Sequence, residues 1–221
     1  MRGLQRSDME TAAVLVQGDP AAGKTTFAKQ LLSDIMREER KEQLVPTMIR
    51  VIDLDRAREE VEELEAKLKQ RLDLVTAYLM LNSSEAQFEL FMRAQREQRL
   101  VVILDGMDEA QQDEKRLEKE IHEIYVHKFH LVLTSRFMGR RFETSEFERF
   151  RKVRVLELNP KQQQEVVEQR LRFPHQIESR ERFLNQIDTN SALSEMAKNP
   201  LLLNLVGLVE ISSEPASRLP D

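Results

Sequence analysis

The chain has 221 residues, of which 33% are charged and 40% hydrophobic, with a formal net charge of −5 and no cysteine. Such a length buries a core without staples, and the absent cysteines exclude a disulfide-framed domain, a Cys-ligated zinc site and a thiol nucleophile. Mild acidity gives no electrostatic case for nucleic acid or an anionic membrane as a bulk partner. The longest apolar stretch, 201–209, is broken by Asn204 and Gly207 and is too short to span a bilayer.

Residues 11–17 (TAAVLVQ) are a short apolar run ending at Gly18, which predicts a buried strand. Phe27, Ala28, Leu31, Leu32, Ile35 and Met36 then recur at the spacing of one helical face over 25–40. A second strand is expected over 45–54, centred on 48–52. From Ala57 through Val61, Leu64, Leu68, Leu72 and Val75 to Leu79 the steps are three or four, so this region is helical. The charge run at 56–71 reads as its solvated face. Ser84 and Gln87 make a capping box opening a helix through Arg96, with Phe88, Phe91 and Met92 facing inward. Residues 100–104 are five apolar side chains without alternation, the pattern of a parallel strand covered on both faces. A helix over 117–129, a strand over 130–134 and a fifth strand over 153–156 follow.

Strands alternating with helices predict an α/β fold, with a five-stranded, mainly parallel sheet between two helical layers. At Asn159-Pro160, an N-cap with a proline in the first turn, the character changes, and everything beyond has helical spacing. The expected division is an α/β domain over 1–158 and a small all-α subdomain over 159–221.

Two segments carry chemistry. Gly18-Asp19-Pro20-Ala21-Ala22-Gly23-Lys24-Thr25 fits the phosphate-loop pattern G-x-x-x-x-G-K-[ST], with a strand before it and a helix after. The glycines let the backbone wrap an anion where a Cβ would intrude, and the helix N-terminus adds donors and a positive dipole end. Lys24 supplies a point charge between β- and γ-phosphates, and the Thr25 hydroxyl is a hard ligand for Mg²⁺. The second segment is Asp105-Gly106-Met107-Asp108-Glu109, at the C-terminal edge of the buried strand, where ligands bind in open α/β sheets. Asp105 is placed to hold Mg²⁺ through its water shell. Asp108 and Glu109 are placed to orient and deprotonate an attacking water, with Glu109 as base and Asp108 assisting, or the reverse. Gly106 allows a close turn that a side chain would block. Arg136, after a strand expected beside the phosphate loop, has the fork geometry to sense a γ-phosphate. The basic stretch from Arg136 to Arg154 reads as snorkelling surface residues rather than a nucleic-acid patch. Phe137, Phe142, Phe147 and Phe150 read as core anchors.

Together these segments resemble the NACHT family of signalling P-loop ATPases, within the STAND class. The likeness lies in GDPAAGKTT at 18–26 (which adds Thr26 to the phosphate-binding set), LDGMDEA at 104–110, LTSRF at 133–137 and NPLLLNL at 199–205. In that family the helical segment packs over the nucleotide, the strand-end arginine senses nucleotide state, and the proline matching Pro200 contacts adenine. The resemblance implies a cytoplasmic switch that binds ATP or ADP with Mg²⁺ and hydrolyses ATP slowly. It also implies self-association, or work with adjacent domains of a longer parent chain. Two rivals are a metabolic or nucleic-acid-dependent P-loop ATPase or kinase, and a binding module that does not hydrolyse its nucleotide. Guanine is disfavoured, because the sequence has no N-K-x-D signature.

Overall fold

A computed structural model of the chain describes residues 13–38, 44–110, 119–124, 129–137, 147–148, 150–170 and 176–213. The chain divides into two compact units, one of residues 1–17 and 24–154, the other of residues 18–23 and 155–221.

In the first unit β1 (Ala13–Gln17), β2 (Val45–Arg50), β3 (Leu100–Asp105), β4 (His130–Ser135) and β5 (Arg151–Arg154) form one sheet in the order β2-β3-β4-β1-β5. All four pairings are parallel. The expected α/β class and parallel sheet are present, and β4 lies beside β1, with Ser135 opposite Gln17. All six residues of β3 are buried, as its unbroken apolar run requires. Each of its five apolar side chains gains about 1.5–3 kcal/mol from leaving water.

Strand periodicity sorts the helices into layers. Leu15, Ile49, Leu100, Val102, Leu104, Leu131 and Leu133 share a cluster with α2 (Val51–Arg56), α4 (Leu74–Asn82), α5 (Glu85–Arg96) and the helical segment 119–124 (α6). These helices contribute Val51 and Leu54, Val75 and Leu79, Ala94, and Ile121 and Ile124. The opposite sheet face takes α1 (Lys24–Arg37), whose buried residue is Ala28. Phe27 and Met36, expected inward, are exposed, because the small Ala28 makes the close approach. The Ser84–Gln87 capping box opens α5 as expected, and Phe88 and Phe91 pack against the core.

Four expectations are corrected. First, β2 ends at Arg50 and the chain turns at once into α2, because Val51 and Leu54 bury at helical spacing and Arg50 hydrogen bonds to Asp53. Second, the helical region from Ala57 to Leu79 is broken into two helices, α3 (Arg58–Leu68) and α4, parted after Lys69, which caps α3 in the left-handed region. Third, the charge run is not wholly solvated, since Arg58 is buried against Asp55 and Glu120. Burial, the largest influence on its guanidinium, lowers the pKa, but Glu120 and Asp55 more than reverse that and the group ends raised. Fourth, β5 falls at Arg151–Arg154, earlier than 153–156, because an edge strand with every residue exposed needs no apolar run. Phe147 and Phe150 are buried with ring centroids 5.2 Å apart, while Phe137 is exposed under the Arg154 guanidinium. Phe142 and most of the helix expected over 117–129 lie outside the described residues.

The second unit holds α7 (Pro160–Arg170), α8 (Gln176–Thr189), α9 (Ser191–Ala197) and α10 (Pro200–Ser213). Asn159 caps α7 reciprocally with Gln162, Asn190 caps α9, and Asn199 caps α10. Their shared core is Val167, Phe183, Ile187, Ala197 and Leu203. Among the described residues no helix is long and apolar enough to cross a membrane.

Candidate functional site

The C-terminal edge of the sheet carries the acidic segment. A left-handed Gly106 (φ 83°) turns the chain out of β3 into a single 3-10 turn, Met107–Glu109, whose Glu109 N–H donates to the Gly106 carbonyl at 2.9 Å. Met107 is buried and anchors the turn, and of the two carboxylates beside it Glu109 is exposed. A Cβ on Gly106 would lie 3.0 Å from the Glu109 carboxyl carbon, so the Glu109 side chain folds back over the glycine. Both the positive φ and this contact call for glycine, as the sequence suggests.

Asp105 is buried at 6% exposure and its carboxylate accepts from two threonine hydroxyls, Thr25 at 2.8 Å and Thr134. Thr134 also accepts the Gly106 N–H at 3.0 Å, so one hydroxyl fixes both the carboxylate and the turn that follows it. Sequence reasoning gave Thr134 no role, although it lies within the LTSRF segment at 133–137. The Thr25 hydroxyl and Asp105 carboxylate come from segments 80 residues apart and present oxygen donors only, which fits a hard divalent cation such as Mg²⁺.

Asp108 and Arg136 meet directly. One Asp108 oxygen accepts the Arg136 backbone N–H at 2.8 Å, and the other accepts its guanidinium Nε–H at 2.8 Å. The Asp108 side chain is only 7% exposed, while Arg136 is 56% exposed. The pair therefore locks the carboxylate but leaves much of the guanidinium open to solvent. Glu109 is exposed. Arg50, opposite Asp105 in register, stands at the same sheet edge. Its pKa is raised above the ordinary value, first by the hydrogen bond it donates to Asp53, with a smaller contribution from the Glu109 charge.

The loop 18–23 follows β1 and leads into α1, whose first turn holds Lys24, Thr25 and Thr26. It belongs to the second unit and is shaped by backbone. Ala22 N–H donates to the Asp19 carbonyl at 3.1 Å, Ala21 is left-handed at φ 61°, and Gly23 has φ 93°. A Cβ on Gly23 would meet nothing within 4 Å, so glycine is needed there for its φ and not to relieve crowding by the protein. From the same unit, Asn199 donates to the Pro20 carbonyl at 3.0 Å. Pro200 opens α10 and its carbonyl accepts from Asn204 at 2.6 Å.

Among known proteins, the family model described as NACHT domain matches residues 12–173. A solved structure similar to this chain is the E. coli MS115-1 HORMA:CdnC:Trip13 complex, one chain of which is 15% identical with a TM-score of 0.50. The alignment covers 94% of this chain and 70% of that one, and at this identity it shows a shared fold alone. No curated protein matches the chain.

Proposed function

The chain belongs to the NACHT domain family and is a P-loop nucleotide-binding module; from that premise we propose that it is an ATP-dependent switch that hydrolyses ATP slowly. The observation that carries the proposal is the 2.8 Å bond between the Thr25 hydroxyl and the Asp105 carboxylate. It joins the phosphate-loop motif to the acidic strand end, as a Mg²⁺·nucleotide site requires.

In this reading residues 18–26, namely Gly18, Asp19, Pro20, Ala21, Ala22, Gly23, Lys24, Thr25 and Thr26, hold the phosphates. Lys24 neutralises the β- and γ-oxygens, and Thr25 with Asp105 would hold Mg²⁺. When bound, the ion draws charge from the transferring phosphoryl group. The adenine contact of Pro200 rests on the family likeness. Water attacks the γ-phosphorus, the bond to the β–γ bridging oxygen breaks, and ADP leaves with that oxygen. The proton lost by the water passes to a carboxylate, and the geometry favours Glu109. Both Asp108 oxygens are engaged by Arg136, whereas Glu109 is exposed beside the turn. Asp108 then acts as the holder of Arg136, which reads the γ-phosphate. Differential affinity of the two states for ATP and ADP sets the population shift.

Self-association, or control of adjacent domains in a longer chain, is the output we assign to the switch, and the cytoplasm its place. Mass spectrometry of nucleotide released from the purified protein, followed by ATP and ADP titration, tests the reading. Co-purified ADP or saturable binding that Lys24→Ala abolishes is expected, and no binding of either nucleotide would overturn it. ATP consumption that appears only with added nucleosides or polynucleotides would favour a kinase or nucleic-acid-dependent enzyme instead.

A further inference from the structure

We propose that Asn199 is a positioning residue for nucleotide binding, pinning the phosphate loop through Pro20 while it caps α10. The inference rests on the nucleotide-binding role given to the loop above. Asn199 uses both ends of its amide: Nδ2–H donates to the Pro20 carbonyl at 3.0 Å, and Oδ1 accepts from Leu201 N–H at 3.0 Å and Leu202 N–H at 3.3 Å. Exchanging the two ends would set the amino group against backbone donors and the oxygen against a carbonyl, so the side chain has one satisfiable orientation.

Capping alone does not explain this arrangement. Serine, threonine or aspartate caps a helix about as well as asparagine, and none of them needs an N–H for it. The surplus donor is spent on the loop. A trans peptide is planar, so its C=O and the N–H of the next residue point in opposite directions. Fixing the Pro20 carbonyl toward Asn199 therefore turns the Ala21 N–H away from Asn199. Ala21 itself is left-handed, at φ 61°, a conformation that costs a residue with a Cβ and persists only where its surroundings enforce it. Backbone of this kind, with a left-handed residue in a tight turn, is what gathers N–H groups into an anion nest. The Ala22 N–H to Asp19 carbonyl bond closes the turn without engaging the Pro20 carbonyl or the Ala21 N–H. Asn199 holds the Pro20 carbonyl itself.

Asn199→Ser keeps a neutral capping oxygen but is too short to reach Pro20, whereas Asn199→Ala loses the cap and the pin together. ADP with Mg²⁺, titrated into the full chain, is the probe, with the unfolding midpoint measured in its absence. The serine variant is expected to bind ADP about three- to tenfold more weakly, the scale of one lost hydrogen bond, with an unchanged midpoint. The alanine variant is expected to show the same loss of affinity and a lower midpoint. Asn199→Thr, another neutral cap, repeats the test should the serine variant fold poorly. Serine or threonine variants that bind ADP within twofold of the parent would overturn the proposal. So would a loss of affinity that appears only when the midpoint falls, since that is a cap and nothing more. A parent chain that binds no nucleotide removes the premise and the proposal together, and its own titration tells that case from the others.

Discussion

The turn after β3 is made by side chains, and the loop after β1 by backbone. In the turn, every carboxylate but one is held by a named partner: Asp105 by Thr25 and Thr134, Asp108 by Arg136. In the loop, the shape comes from two positive φ angles and one tight turn, with a single asparagine amide on the Pro20 carbonyl. The difference teaches where each is vulnerable. A side-chain site fails to isosteric swaps that remove a donor or a charge, while a backbone site tolerates those and fails to a misplaced Cβ.

The largest expected effect strikes Glu109. Glu109→Gln removes a base without changing size, and turnover should fall at least ~100-fold while ATP affinity stays within threefold. Equal turnover would move the base elsewhere and break the division drawn above. Next comes Thr134→Val, which matches in shape but strips a donor from buried Asp105 and an acceptor from the Gly106 N–H. Leaving those groups unsatisfied should cost about 1–3 kcal/mol, read as a lower denaturant midpoint. Gly106→Ala and Gly23→Ala sharpen the comparison. Both force a left-handed alanine at about 1–2 kcal/mol, but only at 106 does the new Cβ also displace a side chain, that of Glu109. Turnover should therefore fall in Gly106→Ala even where the protein stays folded. Gly23→Ala should lose stability and nucleotide affinity without a separate fall in the chemical step.

Much of this was legible from residues alone, wherever the signal was local. The unbroken run at 100–104 announced a strand buried on both faces, and Ser84 with Gln87 announced a helix start. The spacing of Gly18, Gly23, Lys24 and Thr25 announced a tight loop between β1 and α1. What stayed hidden depends on partners far along the chain. Arg58 sits in a charge run that looks solvated, and its burial is compensated by nearby Asp55 together with Glu120, 62 residues on. The bond from Asn199 to Pro20 spans 179 residues, and its capping role gives a sufficient local reason for the asparagine. The end of β2 was obscured for another reason. Val51 and Leu54 are apolar in either structure, and the choice of helix falls to the polar bond between Arg50 and Asp53.

Sequence also left the order of Asp108 and Glu109 open, and Asp108→Asn closes it with the smallest expected change. Asparagine keeps an oxygen for the Arg136 backbone N–H but offers an amino group where the guanidinium wants a carboxylate. The lost ion pair is discounted because Arg136 is more than half exposed, so stability should drop by no more than about 1 kcal/mol. If Asp108 only holds Arg136, the guanidinium becomes free to wander, and turnover should fall less than tenfold, with ATP discriminated less well from ADP. If Asp108 were the base, Asp108→Asn would instead lose turnover at least ~100-fold and Glu109→Gln would lose little. Measuring kcat for both variants separates the two assignments, because the larger loss of turnover marks the base, while the ATP-to-ADP affinity ratio of Asp108→Asn reports the release of Arg136.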